Sequence, residues 1–273
     1  MVDRQTGHSK RIANEAEFWD RSASRPTASF RRSLYGELSR RLSERLVEAL
    51  EDARGKRILY VGCGQSSRVA YDLAERGAEV WCADVSFGSL RKFMGHPFGP
   101  LRPAVRPVVA DVERLPFSDG LFDAAIGKAI VHHLDIPVFL KELSRVCVPG
   151  AKVVFVEPLG MNPAIGLFRR LTPGMRVPTE HPLRPADIGR FREVCASVDL
   201  RYSECLAVLA YPLFLLRMRR LGRLVHRALS RCDAALLRLP TPIRWMAWVV
   251  TIAARMSPTP QTPSQPPTTG AGL

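Results

Sequence analysis

Arg57-Ile58-Leu59-Tyr60-Val61-Gly62-Cys63-Gly64 is a short apolar run ending in a G-x-G turn, and Glu79-Val80-Trp81-Cys82-Ala83-Asp84 is a second run ending in an acid. Between them Val69, Ala70, Leu73 and Ala74 keep helical spacing up to Gly77. The order strand, glycine turn, helix, strand, acid belongs to a doubly wound α/β sheet. Such a sheet brings a backbone-lined notch and a carboxylate together at the carboxyl ends of its strands. A carboxylate placed there accepts hydrogen bonds from both hydroxyls of an adenosine ribose. The stretch reads as a nucleoside-cofactor site.

Spacing alone does not say which nucleoside. A dinucleotide fingerprint wants a third glycine three residues after the second, so that pyrophosphate can sit on the helix N-terminus. That position is Ser67 here. The acid lies 20 residues past the second glycine, which suits NAD or another adenosine ligand.

The next eighty residues add Pro107-Val108-Val109-Ala110-Asp111-Val112-Glu113-Arg114-Leu115-Pro116-Phe117, then Phe122-Asp123-Ala124-Ala125-Ile126 and Val131-His132-His133-Leu134. Leu140 to Val146, Pro149-Gly150 and Val153-Val154-Phe155-Val156-Glu157-Pro158 follow. In this order the motifs resemble those of class I S-adenosylmethionine (SAM)-dependent methyltransferases over residues 57–158, in particular the type 11-like group with small-molecule and lipid-like acceptors. The resemblance implies a Rossmann-like seven-stranded sheet and SAM as cofactor. It implies that Gly62, Cys63 and Gly64 form the turn under the methionine part, and that Asp84, with Val85 beside it, holds the ribose. Asp111 and Val112 would face the adenine. Lys128 and Ala129 stand where the fourth strand ends beside the sulfonium. Two positions depart from the family pattern: Tyr60 replaces an acid before the first glycine, and Ser66 replaces the last glycine of the turn. SAM has no phosphate, so a serine is tolerable where a dinucleotide would clash.

A chain of 273 residues is long enough for one α/β domain with an ample core. Its 46% hydrophobic and 24% charged content are ordinary, but a net charge of +14 is not. Lysine occurs only 6 times, so the excess is arginine, a skew that suits GC-rich coding. From Arg201 onward ten arginines face only Glu204 and Asp233. Six scattered cysteines without a C-x-x-C pair read as free buried thiols in a reducing cytosol. The polar N-terminus has no apolar signal core, and the longest apolar runs fall short of a bilayer span of ~20 residues. The expectation is a cytoplasmic protein.

Residues 1–30 read as an N-terminal segment in which Glu15 to Asp20, with Phe18 and Trp19, either cover a sheet edge or form a lid over the cofactor. Leu34, Leu38, Leu42, Leu46 and Leu50 mark an amphipathic helix ended by Gly55, the first element of a domain running to residue 256. Two acceptor-side insertions are expected, 159–185 and 209–243. Pro185 opens a helix through Cys195, Leu200 to Val208 reads as strand six, and Ala247 to Ala253 as strand seven, so the second insertion is helical and lies between them. There Arg219, Arg223, Arg227 and Arg231 form a basic stripe beside an apolar face of Leu221, Leu224, Val225, Ala228, Cys232, Ala235 and Leu236. Such a helix either lies on an anionic membrane or packs on its own domain with solvated arginines. Residues 257–273, rich in proline, read as a disordered tail.

Methyl transfer from a sulfonium is an in-line displacement and needs alignment and water exclusion above all. A base is needed only where the acceptor loses a proton. His181 is the first candidate, with His133 and Glu157 behind it, and one of His132 and His133 is assigned to orienting a loop. No metal-ligand set stands out in the sequence. Residues 127–130 lack the Asn/Asp-Pro-Pro-aromatic motif of base methylation, so nucleic acid has no motif support. Three readings stay open: a methyltransferase on a hydrophobic small molecule, an RNA methyltransferase tracking phosphates with its C-terminal arginines, and a SAM-binding protein without transfer.

Overall fold

The computed structural model describes residues 2–24, 29–97, 99–172, 177, 180–239 and 241–258. Seven strands form one sheet: β1 Arg57–Val61, β2 Glu79–Asp84, β3 Val105–Val109, β4 Phe122–Lys128, β5 Cys147–Pro158, β6 Cys195–Ser203 and β7 Val249–Met256. Their order is β3-β2-β1-β4-β5-β7-β6, with β7 antiparallel to both neighbours and the other pairings parallel. The strand order reverses between β1 and β4, which opens a crevice at the strand ends there.

Strand alternation splits the core into two layers. Along β5, Val154 and Val156 face one cluster, while Val153 and Phe155 face the other. The first layer holds α2 (Ser29–Leu50), α3 (Arg68–Glu75) and α4 (Phe87–Met94). Leu38, Leu42, Leu46 and Leu50 of α2 are all buried on it, each contributing about 2 kcal/mol of apolar burial. Leu34, the first of that series, has a side chain outside the described set. The helix stops at Glu51, which takes a left-handed φ of 68°, before Gly55 is reached. The second layer holds α5 (Ile136–Val146) and α7 (Pro185–Val194), the latter ending one residue before the expected Cys195.

The sixth strand is displaced from its expected span. Leu200 to Val208 alternates well enough, but β6 ends at Ser203. The carboxylate of Asp233 accepts the amides of Cys205, Leu206 and Ala207 at 3.0, 2.7 and 3.1 Å, which takes the donors a strand would need. The chain then turns through a 3-10 segment, Ala207–Ala210, into α8 (Tyr211–Leu215) and α9 (Arg219–Leu236). These form the helical insertion between β6 and β7. Before it, α6 (Pro163–Leu171) is capped by the Asn162 side chain. The tail from residue 259, and residues 173–176 and 178–179 of the first insertion, lie outside the described residues.

Five cysteines are buried free thiols and Cys232 is exposed, against the expectation that all six are buried. Burial pushes Cys147 up to about 12 and Cys195 up to about 11, so neither is a nucleophile near neutral pH. No helix among the described residues is long and apolar enough to cross a membrane.

Candidate active site

Gly62 and Gly64 both take left-handed backbone, with φ of 60° and 62°, at the end of β1. A Cβ on Gly62 would come within 2.6 Å of the Ile130 side chain, so the close approach of the β1 and β4 ends requires glycine there. Ser66 is absent from the positive-φ residues, so serine replaces the third glycine without strain. Tyr60 is buried in the first layer and burial raises its hydroxyl pKa. It fills core rather than offering a replacement carboxylate to the notch.

Asp84 ends β2 against this turn. Its Oδ2 accepts the Gly64 amide at 2.8 Å and its Oδ1 the Ser86 amide at 2.9 Å. Burial raises the Asp84 carboxyl, and the two amides pull it the other way. A carboxylate offers about four lone-pair directions, so two remain for hydroxyl donors. The residues fit a ribose. Val85 follows it half-buried.

Helix α1 (Val2–Ser24) lies across the loops that follow β2, β3 and β4. His8 Nε2 is 2.7 Å from Asp111 Oδ2, while Asp111 Oδ1 accepts the Glu113 amide at 2.9 Å. Arg11 donates to the Glu113 carboxylate at 2.6 Å and to the His133 carbonyl at 2.9 Å. Asp20 accepts Ser86 Oγ at 2.6 Å and the Gly88 amide at 2.8 Å, at the start of α4. Trp19 donates to Glu15 at 3.1 Å and packs edge-on against His133. His8 and Arg11 escaped the sequence reading because nothing local marks them, and Asp20 was seen only as part of the Glu15–Asp20 segment. Partners of the three lie 66 to 122 residues away. Val112 is buried beside Asp111.

At the end of β4 two expectations change. Lys128 was placed beside the sulfonium, but its Nζ donates to Ser39 Oγ and Ser43 Oγ, each at 2.9 Å, on α2. Only its backbone remains at the notch, and burial lowers the ammonium to about 8. Ala129 takes a φ of 53°, a conformation costly for a residue with a Cβ, and its amide is held by the Val156 carbonyl at 2.9 Å. Glu157 was a candidate base. Its Oε1 accepts the Ile130 and Val131 amides at 2.9 and 3.0 Å, and its Oε2 meets His132 Nδ1 at 2.8 Å. With both oxygens committed it orients the loop carrying the two histidines and holds His132 through Nδ1. His133 is buried, its Nδ1 3.4 Å from Glu15. His181 is exposed and meets the site through its backbone amide on the His132 carbonyl at 3.0 Å. Its neighbour Glu180, not singled out from the sequence, faces His133 Nε2 at 4.0 Å.

Residues 59–155 match the family model described as a methyltransferase domain. Over 122 residues the chain is 34% identical to malonyl-[acyl-carrier protein] O-methyltransferase of Pseudescherichia vulneris, covering 44% of this chain and 46% of that protein. Over 134 residues it is 34% identical to demethylmenaquinone methyltransferase of Thermobifida fusca, covering 48% and 55%. The chain thus spans about half the length of the curated relatives it matches. Among solved structures, geranyl diphosphate C-methyltransferase of Streptomyces coelicolor, solved with Mg2+, geranyl diphosphate and S-adenosyl-L-homocysteine, aligns with a TM-score of 0.59 at 16% identity over 90% of this chain and 98% of that one. That likeness is one of fold. Residues 59–155 are thus similar to a methyltransferase domain, set in a sheet that shares its fold with solved methyltransferases.

Proposed function

We propose that this protein transfers a methyl group from SAM to a hydrophobic small molecule that it meets at an anionic membrane surface. The observation that carries the cofactor half is the Gly64–Asp84 pair at the β1/β4 crevice, with two carboxylate lone pairs left for ribose hydroxyls. In this reading Asp84 and Val85 hold the ribose, and Asp111 and Val112 face the adenine once His8 yields Asp111. Gly62, Cys63 and Gly64 bed the methionine part, and the backbone of Lys128 and Ala129 lines the sulfonium end. SAM supplies an activated methyl, so the chain's share is alignment and exclusion of water. Helix α1 closes the mouth over His133, and exposed His181 is the proton acceptor for a hydroxyl or enol.

The acceptor half rests on where apolar surface lies. Among the described residues, nine of the fourteen exposed large apolar side chains fall in the two acceptor-side insertions, from Met161, Leu167 and Leu171 to Leu216, Leu221 and Leu224. Helix α9 is turned inside out: its buried residues are Gly222, His226 and Asp233, while Leu221, Leu224, Ala228, Cys232 and Ala235 are exposed beside Arg219, Arg223, Arg227 and Arg231. Apolar surface flanked by arginine suits the headgroup boundary of an anionic bilayer. The names of the relatives, with demethylmenaquinone among their substrates, support a lipid-like acceptor.

The experiment incubates the protein with SAM and a panel of isoprenoid quinols and phenols in anionic vesicles, following S-adenosylhomocysteine and methylated product. Product formation that depends on vesicles supports the reading. Turnover on RNA but not on vesicle-borne compounds would move the acceptor to nucleic acid. SAM binding without any turnover would leave a binding protein.

A further inference from the structure

We infer that His132, His133 and Glu180 form a binding site for a divalent transition-metal ion at the acceptor side of the crevice. The inference rests on the methyltransferase reading only for what the ion would do, not for whether it binds. One ligand atom from each of the three residues lies within 4.8 Å of the others, so a single ion can draw them together with modest side-chain movement. The site is built: the histidine side chains are 6 and 7% exposed and Glu180 11%.

The protonation pattern points the same way. A carboxylate without a proton only accepts, so the ring nitrogen facing it must carry the hydrogen. His132 Nδ1 faces Glu157 at 2.8 Å, and His133 Nδ1 faces Glu15 at 3.4 Å. In the neutral rings each Nε2 is then the lone-pair nitrogen. For His133 that nitrogen is the one that faces the Glu180 carboxylate, at 4.0 Å. A cation between them would be held by both. Imidazoles that ligate a metal through one nitrogen and donate the other N–H to a carboxylate are the usual arrangement around such ions.

Charge agrees. Glu15, Glu157 and Glu180 surround the two rings, against the guanidinium of Arg169, 3.0 Å from Glu180. Three carboxylates around the two rings favour a cation over an anion there. Two imidazoles and one carboxylate select zinc, iron(II) or cobalt(II) over magnesium or calcium. A set of three leaves at least one position open, and the ligand class for it is an oxygen of the acceptor: hydroxyl, enol or carboxylate. The sequence hid the set because Glu180 sits far along the chain, in the insertion that α6 precedes.

The test titrates cobalt(II) alone into chelator-treated full-length protein and follows visible ligand-field absorption, with SAM affinity measured in parallel by calorimetry. The expected result is saturation at one equivalent. His133→Gln and Glu180→Gln should each abolish the band, and Glu15→Gln, which acts through His133, should weaken cobalt by about ten- to a hundredfold. SAM binding retained by Glu180→Gln shows that the loss is not unfolding. No cobalt uptake by the parent, or an unchanged band in both ligand variants, overturns the site. Cobalt uptake by a parent that does not bind SAM would support the site and sink the cofactor reading instead.

Discussion

The two halves of this molecule both use carboxylates that collect backbone amides, but they differ in what is added to that tie. From Arg57 to Pro158 the sheet core is apolar, and its loops are fixed by carboxylates that each collect backbone amides: Asp84 from Gly64 and Ser86, Glu157 from Ile130 and Val131, Glu113 from Asp135. From Leu159 to Met246 buried ionic groups are added, and several large apolar side chains, such as Leu216, Leu221 and Leu224, face outward. Glu204, buried, takes His226 at 2.8 Å, Arg45 at 3.0 Å and Tyr211 at 3.3 Å. Burial would raise its carboxyl, but the His226 hydrogen bond and the charges of Arg45, His226 and Arg41 hold it below the ordinary glutamate value. Arg41 in turn reaches His226 Nδ1 at 2.6 Å, so ionic ties to α2 join the apolar packing of Val208, Tyr211 and Phe214 on the same core layer. In the proposed reading the first half serves the cofactor, and the second turns its apolar surface to an interface.

The sharpest way to break this contrast is to remove the basic stripe. Arg219, Arg223, Arg227 and Arg231, all replaced by Gln, keep helix propensity and take away four exposed charges. At about 1 kcal/mol per basic residue near an anionic surface, vesicle partitioning should fall about a thousandfold at low salt. SAM affinity should not move. Equal flotation of parent and variant would make α9 a cap over a pocket and the acceptor a water-soluble metabolite.

Next in size is Asp233→Ala. It orphans three amides, two of them of the buried residues Cys205 and Ala207, and should cost about 3 kcal/mol or more of stability by denaturant titration. The loss should appear as local opening of 204–237 in hydrogen exchange, with β1, β2 and β4 still protected. Uniform loss of protection would show one cooperative unit instead of two differently built halves.

A smaller effect lies on the cofactor side. Lys128 has a folded pKa of about 8 against 10.5 unfolded, its ammonium disfavoured by burial. The folded state is therefore penalised fully below pH 8, and the penalty fades as pH rises from 8 to 10.5, where the unfolded chain alone still holds the proton. Lys128→Met should be more stable than the parent at pH 7 by about 2 kcal/mol, after allowing for the serine hydroxyls it leaves unpaired. The advantage should vanish above pH 10.5. A gap independent of pH would show that packing, not charge burial, sets it.

How far each half could be read from sequence follows from the same contrast. Backbone-led features are periodic or local: the alternation of β5, the four-residue leucine spacing of α2 and the G-x-G turn all declare themselves within a dozen residues. Lys128 misled because it stands at the right point on the strand while its side chain crosses to Ser39 and Ser43. Strand six misled because alternation over Leu200 to Val208 carries no sign that Asp233 captures its last amides. The α1 contacts and Glu180 were illegible for the same reason. Each is one side chain meeting one distant partner, and that leaves no period.

The central claim is that the β1/β4 crevice is a SAM site read by Asp84, and calorimetry with SAM and NAD on parent and Asp84→Ala tests it most directly. Hydrogen bonds to a charged carboxylate are worth about 1.5–3 kcal/mol each, so the variant should bind SAM at least tenfold more weakly. The parent should bind SAM with one-to-one stoichiometry and NAD not at all, and the variant should keep its circular dichroism. Unchanged SAM affinity in Asp84→Ala, or tight NAD binding by the parent, would contradict the account.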